Sequence, residues 1–380
     1  MITYQYRIYP TREQQIKLWQ HSCSMNALYN YFLDQRIKNY AAGIKTTQTI
    51  QQKELVVLKK QDPRLKGIYS QVLQQVTLRI QRAYENFFRR VKLGETPGFP
   101  KFRSADRFFN ITYPQEPFKL NLTSKNGSFT TKIYGEIKIH RHRPFEGTAV
   151  QVTITAKNNQ WFLQIVSETV DSTTPSNSKE VGMDVGLGDL AVLTDGIKIK
   201  NQNHFKYFDK EISKLQNRRS KCKKGSRQYR FYSKTIKRLY GEKTRKTVDF
   251  HHKASKSLSS NYDTIFAEDL NVKQMSEGSI TNLNKAIRNT GLSQFINFLK
   301  YKTKKLVLVN PRNTSKTCNK CGHIHKELKL SQRKIKCQGC GVKFDRDENA
   351  AKNILCLGQA MMAMPSYVGS MTIQEALTFR

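Results

Sequence analysis

The chain has 380 residues, of which 38% are hydrophobic and 10% aromatic, and its 66 Lys and Arg against 29 Asp and Glu give a net charge of +37. Self-repulsion on this scale destabilises a compact protein unless a polyanion offsets it, so nucleic acid is the expected partner. The sequence contains no apolar run of about 18 residues and no signal-peptide core, which predicts a cytoplasmic protein, nucleoid-associated when bound to DNA, without membrane partners.

The first third of the sequence predicts one short strand followed by long helices. Residues 3–8 have strand character, and Thr11 with Gln14 forms a capping box that starts a long helix. A second helix is predicted over 69–92, where apolar residues recur with the helical period. We therefore expect a basic helical module over 11–95, followed by the turn-forming stretch PGFPKFRS.

The next part of the sequence, from about residue 107 to 170, predicts short strands separated by turns. The Asn158-Asn159 pair between VTITA and QWFLQIV is typical of a β-hairpin. These strands, completed by the N-terminal strand, predict a small β barrel or wedge. The polar stretch DSTTPSNSK at 171–179 is the expected domain boundary.

The C-terminal half predicts strands alternating with helices. EVGMDVGLGDLAVLTDGIKIK indicates two or three strands, NYDTIFAEDLNV and KLVLVN one each, AIRNTGLSQFINFLKYKTKK one helix, and 347–357 a last helix. Residues 204–258 predict one or two helices, and from Lys210 to Lys246 they carry fifteen Lys or Arg against two Glu, with aromatic residues interleaved. This order indicates an α/β sheet covered on both faces. The tail over 361–380 has no predicted role.

Two Cys-x2-Cys pairs separated by fifteen residues predict a metal site. Its expected ligands are Cys318, Cys321, Cys337 and Cys340. Four thiolates at this spacing are typical of a closed, tetrahedral, structural Zn²⁺ site, and two pairs in register argue against the alternative of a redox dithiol. His323 and His325 lie within the loop and are interpreted as bystanders able to contact nucleic acid. The other three cysteines, at 23, 222 and 356, are expected to be ordinary thiols.

Isolated carboxylates indicate a second kind of site in so basic a chain. Asp184 lies inside the apolar strand GMDVG, Glu268 ends the strand TIFAE, and Asp345 and Asp347 precede the last helix. Charges on inner strands are costly unless they bind a metal or a partner. Carboxylates that converge on one sheet edge can hold two Mg²⁺ ions about 4 Å apart for attack of water on a phosphodiester.

Each acidic motif alone has another interpretation. GMDVG is also compatible with the phosphate-binding loop of a sugar kinase or an actin-like ATPase. A Glu at the end of a strand is usually solvated or ion-paired, and an Asp before a helix is a favoured N-cap.

Taken in order, the motifs resemble the TnpB family of transposon-encoded, RNA-guided DNA endonucleases, which are related to miniature type V CRISPR effectors. The resemblance covers most of the chain through YQYRIYPTREQ, PGFPKF, GMDVGLGDLAVLTDG, DFHHKASKSL, AEDLNV, NTSKTCNKCG, CQGCG and DRDENAAKNIL. It implies an α/β + α + β multidomain fold: an RNase H-like (RuvC) nuclease domain with an inserted four-cysteine zinc module, a helical recognition lobe and a small β-barrel wedge domain. One departure is VNPRNTSKTC, where the family has an aromatic residue before Thr-Ser.

The resemblance also implies the functional residues and partners. The catalytic, Mg²⁺-binding carboxylates would be Asp184, Glu268 and Asp347, with Asp345 as the alternative third ligand. A guide RNA and a target DNA are the implied partners of a protein that is monomeric on the RNA. The implied domains are a wedge over 1–10 and 105–175, a recognition domain over 11–104, a nuclease domain over 176–312 and 345–360, and a zinc-containing target-nucleic-acid-binding insertion over 313–344.

Three other functions are compatible with parts of this pattern. A guided DNA-binding repressor would lack cleavage, and the intact acidic set argues against it. A DNA-joining transposase, or an accessory DNA-binding protein of the element, also fits an acidic triad, but the zinc insertion and the guide-handling lobes favour guided cutting. A miniature CRISPR effector differs mainly in its genomic neighbourhood.

Overall fold

The structure is a computed structural model that describes residues 1–104, 109–115, 117–157, 160–168, 178–202, 204–270, 281–325, 328 and 332–363. The chain divides into two compact units, Met1–Thr173 and Thr174–Arg380. The Asn158-Asn159 turn, most of the predicted linker at 171–179 and nearly all of the tail lie outside the described residues. Within the described ranges, no helix combines the length and apolar character needed to cross a membrane.

The first unit is built on an antiparallel sheet. Its strands are β1 (Ile2–Tyr9), β2 (Asn110–Tyr113), β3 (Lys119–Asn121), β4 (Asn126–Thr131), β5 (Gly135–His140), β6 (Thr148–Lys157) and β7 (Gln160–Glu168). They lie in the order β2-β6-β7-β1-β5-β4-β3. The predicted hairpin is present, with Lys157 paired to Gln160, and the N-terminal strand completes the sheet near its centre, with Tyr6 opposite Leu163.

The sheet is open, so the predicted closed β barrel is wrong. In the described residues its edge strands, β2 and β3, each pair on one side only, and they are four and three residues long. Helical residues such as Leu18 and Leu73 share one buried core with strand residues such as Tyr6 and Ile139. Because helices bury the apolar side chains of the sheet, the sheet does not have to close on itself.

The predicted helical module of the first unit contains four helices. They are α1 (Arg12–Ala41), α2 (Gln48–Gln61), α3 (Pro63–Lys66) and α4 (Ser70–Lys92). The predicted capping box starts α1: the Gln14 N–H donates to Thr11 Oγ1 (3.3 Å), and the Thr11 N–H donates to Gln14 Oε1 (2.9 Å). Helix α4 buries Val76 and Ile80, which lie four residues apart on one face, in agreement with the helical period of the sequence.

The second unit contains a mixed five-stranded sheet in the order β10-β9-β8-β11-β12. Its strands are β8 (Glu180–Val185), β9 (Asp189–Leu193), β10 (Lys198–Lys200), β11 (Thr264–Glu268) and β12 (Lys305–Val309), and a separate hairpin pairs β13 (Lys334–Lys336) with β14 (Lys343–Asp345). Its described helices are α5 (His204–Ser220), α6 (Arg227–Asn261), α7 (Thr281–Thr290), α8 (Leu292–Lys302) and α9 (Arg346–Ala363). Strands β8, β9 and β10 form an antiparallel meander, and β11 runs parallel to β8 and β12.

Both faces of this sheet are covered, as the alternation of strands and helices predicts. Successive strand residues point to opposite faces. Val181 and Met183 pack with Phe295 of α8 and other residues of α6 and α8. On the opposite face, Phe266 packs with Ile354 of α9.

One predicted helix is divided in the structure. The segment AIRNTGLSQFINFLKYKTKK forms parts of α7 and α8, which meet at Gly291. Gly291 has a φ of +66°, a left-handed conformation that glycine adopts without steric cost. The helix therefore ends and restarts at this residue.

Two glycines let α9 lie directly on the sheet. A Cβ atom on Gly182 of β8 would lie 2.2 Å from the Ala351 carbonyl oxygen, and a Cβ on Gly358 would lie 1.9 Å from Cδ1 of Phe266. Contacts below about 3 Å are not tolerated by carbon atoms, so both positions require glycine. This close approach sets the distance between α9 and the strands beneath it.

We expect Gly182→Ala to destabilise the second unit by about 2–4 kcal/mol, because the added methyl group would push against helix backbone that cannot yield. The measurement is the denaturant midpoint of unfolding. Gly98→Ala is the matched control, since no heavy atom beyond its two chain neighbours lies within 4 Å of the position of its Cβ. Equal midpoints for the two variants would contradict the close packing.

Candidate active site

Two of the predicted site residues lie on neighbouring parallel strands. Strands β8 and β11 pair in register, with Gly182 opposite Phe266 and Met183 opposite Ala267. One step further along this register, Asp184 lies beside Glu268. Both side chains share the sheet face of Gly182 and Phe266, which is the face that α9 covers.

The third predicted carboxylate comes from the first turn of α9. Ala351 lies over Gly182, and Asp347 precedes Ala351 by one helical turn. Asp184 lies two residues after Gly182 on β8. The charge of Asp347 acts on Asp184, so the first turn of α9 lies near this part of the strand. The structure thus brings together Asp184, Glu268 and Asp347 from three elements that are far apart in the sequence.

The pKa of Asp184 reflects its burial and the proximity of the other two carboxylates. Burial raises the pKa of Asp184 to about 8, and the charges of Glu268 and Asp347 act in the same direction. The guanidinium groups of Arg346 and Arg333 partly offset the rise. Glu268 is itself buried, and its burial raises its pKa, although a hydrogen bond from the Thr314 hydroxyl to Oε1 opposes that rise.

Asp345 and Asp347 have different surroundings. Asp345 Oδ1 accepts the N–H groups of Asp347 (2.9 Å) and Glu348 (3.3 Å), so Asp345 is the N-cap of α9. Its Oδ2 pairs with Lys198 Nζ at 3.0 Å. Burial acts to raise the pKa of Asp345, but these hydrogen bonds hold it below its ordinary value. The carboxylate of Asp347 instead pairs with Arg333 and with Arg346 Nε (3.3 Å).

The carboxylate cluster fits a hard divalent cation. Carboxylate oxygens are the ligands that Mg²⁺ prefers. A bound cation would offset both the burial of Asp184 and the repulsion from Glu268 and Asp347, which together raise its pKa. The carboxylate oxygens of Asp184, Glu268 and Asp347 are not all as close together as the ligands of one metal ion would be. In the described part of the chain, the four cysteines are the one set of potential ligands whose atoms all lie within 4.8 Å of one another.

The four cysteines have the spacing of a tetrahedral zinc site. The Sγ atoms of Cys318 and Cys340 are 3.9 Å apart, and those of Cys321 and Cys337 are 3.6 Å apart. Zn–S bonds of about 2.3 Å in a regular tetrahedron place sulfur atoms about 3.8 Å apart. All four thiols are free of disulfides. These residues therefore fit a structural Zn²⁺ ion. His325, predicted to be a bystander, is buried and packs edge-on against Phe344.

Hydrogen bonds join the zinc module to the helix of the third carboxylate. Asn349 Nδ2 donates to the Thr317 carbonyl oxygen (2.6 Å), and Asn353 Nδ2 donates to the same oxygen (2.7 Å) and to the Thr314 carbonyl (2.8 Å). The Asn319 N–H donates to Asn349 Oδ1 (2.9 Å). Thr314 also contacts Glu268, so the loop that begins the zinc module orients two of the three carboxylates.

Several of these contacting residues were not singled out from the sequence. They are Lys198, Thr314, Arg333, Asn349 and Asn353. The spacing of Asn349 and Asn353 could have indicated a shared contact surface, because polar residues four apart lie on one face of a helix. Asn313, the residue before Thr-Ser in VNPRNTSKTC, adopts a φ of +62°, which Asn tolerates better than most residues.

We expect Cys337→Ser to lower the zinc content from one ion per chain to less than about 0.2, because one thiolate of a closed site is lost. Elemental analysis of the purified protein measures this. Cys222→Ser, which alters a thiol outside the cluster, should retain the zinc. Full zinc content in Cys337→Ser would contradict the assignment of the ligands.

The basic helices form a second surface of the unit. Of the fifteen Lys and Arg between residues 210 and 246, thirteen are exposed. Lys243 is buried and pairs with Asp209 at 2.6 Å. Phe231 and Tyr240 are exposed by 63% and 46%, so aromatic rings lie among the exposed cations. A surface of this composition can bind phosphates and stack on unpaired bases.

Three family models match successive parts of the chain. They are described as "Helix-turn-helix domain" (residues 1–45), "Probable transposase", OrfB of IS605 (163–278), and "Cas12f1-like, TNB domain" (293–354). In this structure, residues 1–45 form β1 and the single long helix α1.

The chain is also similar to individual proteins over most of its length. It is 29% identical to "Putative RNA-guided DNA endonuclease InsQ" of Escherichia coli K12, over 97% of this chain and 94% of that protein. It is 30% identical to "TnpB-like protein L79" of Acanthamoeba polyphaga mimivirus, over 62% of this chain and 48% of that protein. The fold resembles that of Cas12f1 in its sgRNA–target DNA complex, with a TM-score of 0.60 and 16% identity over 90% of this chain and 83% of that one.

The matches agree with the order of the sequence motifs. The transposase model includes the strands of Asp184 and Glu268, and the Cas12f1-like model includes all four cysteines and Asp347. The matched family models and the named relatives thus agree with the resemblance of the sequence motifs to the TnpB family.

Proposed function

We propose that this protein is an RNA-guided DNA endonuclease of a transposable element. It cuts DNA phosphodiesters at targets that pair with a bound guide RNA and lie next to a short flanking motif. The observation that carries the proposal is the convergence of Asp184, Glu268 and Asp347 on one sheet face in a chain of net charge +37. The similarity to a relative named as an RNA-guided DNA endonuclease supports it.

We assign roles to the parts of the chain on this basis. The sheet order, with an antiparallel meander followed by two parallel strands and α9 across one face, supports an RNase H-like (RuvC) nuclease domain. The proposed division is a wedge, now an open sheet, over 1–10 and 105–175, a recognition domain over 11–104, a nuclease domain over 176–312 and 345–360, and a zinc-containing target-nucleic-acid-binding insertion over 313–344.

The chemistry would be metal-assisted hydrolysis. Two Mg²⁺ ions, when bound, would supply activation of water and stabilisation of charge on the phosphate. Strands β8 and β11 fix Asp184 and Glu268, and the Thr314 hydroxyl orients Glu268. The cap at Asp345 holds the first turn of α9, which fixes Asp347. Burial and the charges of Glu268 and Asp347 raise the pKa of Asp184, so a cation bound at this site would favour its ionised carboxylate.

The basic surface of α5 and α6 would hold the nucleic acid. Its exposed cations would contact the phosphates of guide RNA and target DNA, and Phe231 and Tyr240 are available to stack on unpaired bases. Binding should weaken steeply with salt through counterion release. We propose that one chain acts on one RNA, in the cytoplasm and on the nucleoid.

The test is reprogramming of the cut. The protein is co-expressed with RNA from the end of its own element, purified, and given DNA that matches the natural or an altered guide segment. Cutting should follow the guide sequence and require Mg²⁺. Cutting that ignores the guide, or purification without any defined RNA, would overturn the proposal.

A DNA-joining transposase is the second candidate, because one matched model is described as a probable transposase. RNase H-like transposases also use acidic residues and divalent metal. The products distinguish the two activities: a guided nuclease leaves broken DNA ends, whereas a transposase joins element ends to a new site. Joined products in the reaction above would favour the transposase.

A further inference from the structure

A large cavity in the first unit lies outside the surfaces described above. It has a volume of about 960 Å³ and lies between the end of α1, the beginning of α2 and the C-terminal half of α4. Arg36, Thr47, Glu85, Phe88 and Phe99 contribute to its lining. Small-molecule and cofactor sites commonly have volumes of about 300–1,000 Å³, so a nucleotide-sized ligand fits.

Arg36 is a buried cation held by neutral groups. Its side chain is only 8% exposed, its Nε donates to Gln51 Oε1 (3.0 Å), and its Nη1 donates to Gln81 Oε1 (3.1 Å). Within the described residues, the buried Nη2 has no hydrogen-bond partner. Glu85 of the same cavity instead accepts from Gln81 Nε2 (3.1 Å). A fixed guanidinium with an unused donor is suited to an acceptor oxygen or nitrogen of a ligand.

The first turn of α2 contributes a second, independent binding element. Thr47 caps the N–H of Ile50 at 3.3 Å, and helix geometry leaves the N–H groups of Gln48 and Thr49 for a ligand. This turn contains no acidic residue, and Lys45 precedes it in the cavity wall. Helix N-termini of this kind bind phosphate.

Aromatic rings form the remaining wall. Tyr84, Phe87, Phe88 and Phe99 contact one another, with ring centroids 5.2–6.4 Å apart. Phe88 and Phe99 are exposed by 54% and 47%. Exposed rings beside a phosphate-binding turn have the chemistry of a site for an unpaired base.

We propose that this cavity binds one unpaired nucleotide of the bound nucleic acid, an inference that rests on the nucleic-acid binding of the proposed function. The base stacks on the aromatic wall at Phe88, an acceptor atom on its edge binds Nη2 of Arg36, and its phosphate lies at the N-terminus of α2. Charge supports this occupant: the cavity offers a buried cation, Lys45 and a helix N-terminus to an anionic ligand that carries a planar ring.

The experiment uses the full chain, freed of co-purified RNA, and two fluorescent probes of equal length and charge, an oligothymidylate and an abasic oligomer. Phe88→Ala removes an exposed ring and should leave the fold intact. We expect it to weaken oligothymidylate binding about 10-fold while leaving abasic binding unchanged, because only the base is stacked. Photocrosslinking with 5-iododeoxyuridine should yield adducts on the aromatic wall.

Tyr9→Ala is the control, since Tyr9 is also 54% exposed but lies outside the cavity. Arg36→Gln tests the second contact and should also weaken oligothymidylate binding. The proposal is overturned if Phe88→Ala binds both probes as the wild type does, or if no crosslink maps to the aromatic wall. A self-associating wild type whose dimer is abolished by Phe88→Ala would show that a second copy covers the rings instead. If the wild type binds neither probe, the nucleic-acid binding of the proposed function fails as well.

Discussion

Asp347→Asn should abolish guided DNA cutting, whereas Asp345→Asn should retain most of it. The two residues lie two positions apart in the sequence. The charge of Asp347 helps to raise the pKa of Asp184, whereas Asp345 caps α9 and pairs with Lys198. Loss of a metal-binding carboxylate removes several kcal/mol of transition-state stabilisation, so we expect cutting to fall at least ~10³-fold in Asp347→Asn. Asparagine is as good an N-cap as aspartate, so Asp345→Asn should lose less than about 10-fold. Single-turnover cleavage rates of a guide-matched duplex measure both.

Asp184→Ala is the companion variant, and it should also abolish cutting. Retention of guide-dependent DNA binding by both inactive variants, measured by mobility shift, would separate catalysis from folding. The assignment fails if Asp345→Asn is as inactive as Asp347→Asn, because the cap would then be a ligand. It fails more broadly if Asp184→Ala still cuts.

The sequence predicts those features of the candidate site that depend on the spacing of nearby residues. Period-two alternation places Asp184 on the face of Gly182, and the fixed spacing of the cysteines predicts a metal site without any knowledge of the fold. The sequence leaves Asp345 as the alternative to Asp347 for the third ligand. In the structure Asp345 accepts backbone N–H groups of α9, and that difference between the two carboxylates exists only in the folded chain.

The features that the sequence does not predict depend on long-range packing. Arg333 pairs with Asp347, and Thr314 with Glu268, across fourteen and forty-six positions of the chain. The open sheet of the first unit has the same cause. Alternating strands are compatible with a barrel or with an open sheet, and the helices that supply Leu18 and Leu73 to the common core decide between them.

Asp184→Asn should stabilise the metal-free protein at neutral pH, even though we expect it to abolish DNA cutting. Burial raises the pKa of Asp184 from an ordinary value of 3.8 to about 8. Between these values the unfolded chain releases a proton that the folded chain retains, so ionisation favours the unfolded state and stability falls as the pH rises. Below about pH 4 both states are protonated and the penalty disappears. Asn cannot ionise, so at pH 7 the variant should gain about 2–4 kcal/mol.

Thermal unfolding in EDTA at several pH values measures this gain. The difference in melting temperature between Asp184→Asn and the wild type should grow from about pH 4 to about pH 8, the interval over which the two states differ in bound protons. Addition of Mg²⁺ should reverse the order, because a ligand that binds only the folded state stabilises it, and the wild type retains the full carboxylate set. A pH-independent difference would show that Asp184 carries no raised pKa. A Mg²⁺ effect equal in both proteins would place the ion elsewhere. The buried charge of Asp184 thus lowers the stability of the metal-free fold, and a cation bound at the cluster would restore that stability.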